Sequence, residues 1–97
     1  MSRSLIERRL SGVNERLKGL RGELQVVEEQ LAALAGEADD ARLRALVSET
    51  PLAEREHKEA QKHADAMARH RQDVLAQIQE LEQAQDELLD RLVPGLR

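Results

Sequence analysis

The sequence predicts an all-α fold, an antiparallel two-helix coiled-coil hairpin, on three observations. First, two apolar stripes step along the chain by alternating threes and fours, the a/d seam of a coiled coil. One stripe runs Ile6, Leu10, Val13, Leu17, Leu20, Leu24, Val27, Leu31, Leu34, Ala38, Ala41, Ala45. The other runs Ala53, His57, Ala60, Ala64, Met67, Arg71, Val74, Ile78, Leu81, Gln85, Leu88, Leu92. Second, a fold at Ser48–Pro51 matches the stripes rung by rung, with the residue numbers of each pair summing to 98. Ala45 then meets Ala53, Leu24 meets Val74, and Ile6 meets Leu92. Third, the 97 residues contain no Phe, Trp or Tyr and are 35% charged. That composition suits long helices better than a compact core built on large rings.

Taken in order, Ser4-Leu5-Ile6-Glu7 fits a capping box, so the first helix is expected to start near residue 4. Nine seam positions follow without a slip from Ile6 to Leu34. Gly36 admits two readings. As a C-cap it ends the helix, with Asp39 capping a short successor that runs to Ser48. As an outward f position it costs about 1 kcal/mol and leaves the helix whole. The unbroken stepping through Ala38, Ala41 and Ala45 favours one helix over about 4–48, with a kink or break at 36 as the alternative. Thr50-Pro51 then reads as N-cap and first helical residue. The second helix is expected over about 51–92, stopped by Val93-Pro94-Gly95, with a short tail over 93–97.

Flanking charges are expected to support this register, with Arg42 beside Glu54, Arg44 beside Glu56 and Glu37 beside His63. Arg9 facing Arg91 runs against it. Three seam positions are polar: His57, Arg71 and Gln85. Each faces a smaller residue, which leaves room for the long side chain to reach outward.

The same residues limit the chemistry available. Without cysteine there is no disulfide and no thiolate ligand. His57, His63 and His70 are spaced too widely to share a metal ion, since a full heptad covers about 10 Å of helix. Carboxylate neighbours such as Glu28-Glu29 and Asp86-Glu87 are expected on solvated faces, with no concave pocket to shift their proton affinity. No Gly-rich phosphate loop or nucleophile elbow occurs. We therefore expect no catalytic, cofactor-binding or metal-binding residues, and no enzyme.

Net charge is −4. Residues 1–22 carry six basic and two acidic side chains, but Glu80, Glu82, Asp86, Glu87 and Asp90 are expected beside them across the seam. Direct nucleic-acid binding is not expected on that balance. No run approaches the roughly 20 apolar residues of a membrane span. The start lacks the apolar centre of a signal peptide. A cytoplasmic location is the resulting expectation.

Function is therefore sought on the outer faces. The c column of helix one reads Leu5, Gly12, Gly19, Val26, Ala33, Asp40, Val47, and Gly22 and Gly36 lie at f. Each helical glycine costs about 1 kcal/mol. Close packing of another helix is one reason to keep them, as when two hairpins form a four-helix homodimer. Gly12, Gly19, Val26 and Ala33 with Leu75 and Leu89 are the candidate self-association residues. Near the turn, Leu43, Leu46, Val47 and Leu52 point away from the seam, rimmed by Asp39 and Asp40. They form a candidate partner-binding tip, unless a break at Gly36 turns them inward.

In overall design, the Ala/Arg-rich heptads along the whole chain resemble those of small coiled-coil proteins of actinobacteria. That resemblance implies a helical hairpin and transfers no activity. The leading expectation is a protein-protein interaction module, an adaptor or scaffold working through its outer face and tip. A hairpin with Asp39, Asp40 and Glu49 near its turn also resembles the Gre-type factors. That resemblance implies a transcription regulator inserting an acidic tip into RNA polymerase, although a second globular domain is lacking. A prefoldin-like holdase is the third expectation.

Overall fold

A computed structural model describes residues 2–94. Among them are two helices and no strand, α1 (Arg3–Ser48) and α2 (Pro51–Leu92), forming the helical hairpin. α1 begins slightly earlier than the capping-box reading places it. The Leu5 amide donates to the Ser2 hydroxyl at 3.3 Å, so Ser2 and not Ser4 is the N-cap. Both serines carry a suitable hydroxyl, and the choice lies in backbone geometry that the residue types do not encode. The tail over 93–97 is described only to Pro94, where the Val93 amide still donates to the Leu89 carbonyl at 2.9 Å.

α1 passes through Gly36 without a break. A Cβ added at Gly36 meets nothing within 4 Å. The glycine is therefore an entropic cost with no steric purpose inside the chain. Gly36→Ala should stabilise the protein by about 1 kcal/mol, read as a rise in the urea midpoint at unchanged slope.

The connection is Glu49-Thr50. The Glu49 amide donates to the Ala45 carbonyl at 3.1 Å, and its φ of 51° is left-handed, which turns the chain off the helix axis. The Ser48 hydroxyl donates back to the Arg44 carbonyl in the last turn. Thr50 then caps α2, accepting from the Ala53 amide on its hydroxyl at 3.2 Å. Pro51 occupies the first helical position, where a missing N–H costs nothing.

The chain divides into two units. The terminal unit comprises Met1–Leu24 and Val74–Arg97. Its core pairs the two helices in antiparallel order. Leu17, Val74, Ile78 and Leu81 form one buried cluster, with Val13, Leu20 and Leu24 against it. Ile6, Leu10 and Leu88 form another, with Leu89 and Leu92 against it. These contacts follow the predicted rungs. The turn unit comprises Gln25–Asp73 and has a core of small residues: Ala38, Ala41, Ala45, Ala53 and Ala64 are buried, with Val27.

The polar seam residues resolve their burial by reaching sideways. The Gln85 side-chain amide donates from Nε2 to the side-chain Oδ1 of Asn14 at 2.7 Å in the terminal unit. Arg71 sits 3.8 Å from the Glu28 carboxylate in the turn unit. No buried side-chain polar atom among the described residues lacks a partner. No described helix is long and apolar enough to cross a membrane.

Candidate functional site

The turn unit presents the largest exposed apolar side chains. Val47 is 87% exposed, Leu46 64%, Leu52 60% and Leu43 51%. Leu43, Leu46 and Val47 stand at i, i+3 and i+4 of one helix, so they share one face of α1. Leu43 and Val47 line a shallow hollow with Arg44 and Ser48. The continuous helix keeps this face outward, because its seam side is already occupied by Ala41 and Ala45 against α2. Single exposed leucines need no explanation, but Leu43 and Val47 adjoin in one hollow, with Leu46 on the same face of α1 and Leu52 just past the turn.

The acids around this patch are not alike. Asp39 accepts from Arg42 at 3.3 Å within α1. The expected Arg42–Glu54 neighbourhood is thus replaced by an i, i+3 pair. Exposed pairs of this kind are worth only tenths of a kcal/mol, too little for the cross-helix carboxylate to outweigh one placed three residues away on the same helix. Asp40 lies in a separate shallow groove between the helices, with Glu37, Arg44 and Glu56 above Ala41 and Ala60.

The candidate self-association residues fall in different places. In the terminal unit, Gly12 and Gly19 are exposed, and a Cβ on either meets nothing within 4 Å. Leu75 and Leu89 are half-buried, and Leu89 packs against the Ile6–Leu10–Leu88 cluster. Leu75 and Leu89 belong to the e column of α2, the side marked by the Arg21–Glu82 ion pair at 3.3 Å. Gly12 lies on the other side, the side of the facing g columns. The terminal unit therefore does not gather these four residues into one patch. In the turn unit, Val26 is half exposed and Ala33 exposed.

One feature of the terminal unit was visible in the sequence only as a mismatch. An open groove runs between α1 and α2, floored by Val13, Ala84 and Leu88 and bordered by Arg9, Arg16 and Arg91. Gly12 and Glu87 complete its lining. The expected cancellation of basic charge across the seam is realised at Arg21–Glu82. Arg3 pairs within its own helix, with Glu7 at 3.1 Å. Arg9, Arg16 and Arg91 take part in no ion pair among the described residues. The Arg9–Arg91 opposition was the signal that pointed here.

No described group of three or more His, Cys, Asp or Glu side chains is placed to hold a metal ion. The fold and its surfaces define the class, an all-α helical hairpin with exposed apolar and basic faces. No protein-family model, curated protein or solved structure matches the chain.

Proposed function

We propose that this protein is a non-enzymatic interaction module, an adaptor or scaffold, and that it docks on a protein partner by the apolar face at its turn. The carrying observation is the exposure of Leu43, Leu46, Val47 and Leu52 beside a connection of two residues. Side chains of this size cost free energy when left in water, about 1.5–3 kcal/mol each on full burial. They sit where the helix gains no internal packing from them. A partner groove that takes a helix end recovers that burial, with Arg44 and Asp40 available as polar contacts at its edge.

A photo-reactive amino acid placed at Val47 in the intact protein, in its native cells, tests the reading. A discrete adduct is expected from Val47 and none from the exposed polar position Lys62. Leu46→Ser with Val47→Ser should abolish the partner captured by an affinity-tagged wild type. Capture by that double variant at the wild-type level would defeat the proposal. Self-association is a part of the same proposal, using the c column of α1. Sedimentation giving the mass of a single chain at micromolar concentration would remove that part and leave the docking face.

A further inference from the structure

The basic groove of the terminal unit has a composition that the hairpin itself does not require. Arg9 and Arg16 stand a heptad apart on α1, about 10 Å, or two helical turns. Arg91 borders the same groove from α2. Like charges facing across a seam destabilise an isolated hairpin, and a neutral pair there would serve folding better. Below them the floor is apolar, with Leu88 buried and Val13 half-buried. Between the two α1 arginines stands Gly12, where a Cβ would meet open space. Glycine at this point opens the floor to a neighbouring backbone and costs the helix stability.

We infer that this groove is a docking site for an acidic amphipathic helix of a protein partner. Carboxylates spaced along that helix meet Arg9 and Arg16, and another meets Arg91 from the opposite side. Small apolar side chains of the same helix rest on Val13 and Leu88, and its backbone passes close over Gly12. Glu87, also in the lining, sets the register by facing a basic or neutral residue of the partner. Two features favour a helix over a polyphosphate or a nucleic acid. The floor offers apolar surface that a uniformly anionic ligand cannot use. Glu87 repels such a ligand at the place where the arginines attract it. The inference extends the interaction reading to the face that holds Gly12, where a partner helix competes with self-association through the c column of α1, and it does not depend on the turn-end patch.

The test uses the full chain and a fluorescent, stapled helical peptide about four turns long. The peptide carries Ala and Leu on one face and Glu along both edges, with a Gln-for-Glu peptide as control. We expect saturable binding of the Glu peptide, detected by anisotropy and weakened by added salt. Arg9→Gln with Arg16→Gln should weaken it about tenfold, the loss of two exposed charge pairs. Gly12→Leu should weaken it at least as much while holding or raising the melting temperature, since leucine is the better helix former and the space is open. Leu46→Ser with Val47→Ser should bind the peptide like the wild type, which keeps this site separate from the turn-end reading. Absence of saturable binding, equal binding of the Gln peptide, or wild-type binding by Gly12→Leu would each overturn the inference. Displacement of the peptide by pyrophosphate or duplex DNA from both wild type and Gly12→Leu alike would also overturn it, revealing a plain anion surface.

Discussion

Leu17→Ala should destabilise the protein by about 2–5 kcal/mol, the range for a leucine truncated inside a packed core. Leu17 is 1% exposed and lies in the cluster with Val74, Ile78 and Leu81, Val74 being fully buried. No bulky ring is available nearby to collapse into the space, because the chain has none. A domain of this size has a total stability of order 5–15 kcal/mol, so the loss is a large fraction of the whole. Urea unfolding followed by helical circular dichroism measures it. A loss below about 0.5 kcal/mol, the scale of a surface substitution, would mean that this rung is not part of the core.

Ala45→Leu is the second large effect, and its sign is the informative part. In a heptad seam of ordinary width, leucine at such a position adds buried surface and stabilises. Here Ala45 is buried in a rung with Ala53, next to Ala41 and Ala38, and the connection leaves only Glu49-Thr50 between the helices. That short connection fixes how far apart the helices stand where they leave the turn. Extra methylenes must then be accommodated by strain, at about 1–3 kcal/mol. The urea midpoint of Ala45→Leu should fall, whereas Ala32→Leu, on the exposed face, should stay close to the wild type. A higher midpoint for Ala45→Leu would show that the seam opens freely at the turn.

The parts of this fold that the sequence made legible share a physical cause. Burial along a helix follows a period, so Leu17, Val74 and Leu81 declare themselves by spacing alone. Thr50-Pro51 declares a helix start because few other sites suit both residues at once. Gly36 was harder, since a glycine is read equally as a stop or as a tolerated outward residue. The continuous seam on the far side decides it, because the alanines at 38, 41 and 45 need α2 as their cover. Ser2 took the capping role expected of Ser4, because the backbone is already helical at Ser4 and an N-cap residue must lie just outside the helix. Arg42 took Asp39 in place of Glu54, because exposed ion pairs differ by tenths of a kcal/mol and are settled by local side-chain geometry.

The candidate surfaces were legible to a different degree. Exposure of Leu43, Leu46, Val47 and Leu52 follows from heptad position only if α1 is continuous, and the sequence left open a break at Gly36 that would turn them inward until the unbroken helix decided it. The arginine groove was not, because it needs the lateral placement of Arg9, Arg16, Ala84 and Arg91 around one opening. Only the unfavourable Arg9–Arg91 opposition hinted at it. The predicted self-association set mixed c positions of α1 with e positions of α2, which lie on opposite sides of the seam. Counting apolar residues finds exposed faces, but only the placement of columns around the helix pair shows which of them adjoin.

A buried seam specifies the fold, and the exposed turn-end face is not needed for it. The melting temperature of Leu46→Ser with Val47→Ser tests this most directly. The two side chains are 64% and 87% exposed, so the thermal transition should stay within a few degrees of the wild type at unchanged helicity, a shift of about 0.5 kcal/mol or less. A fall comparable to that of Leu17→Ala would contradict it, placing Leu46 and Val47 inside the packing and removing the docking face.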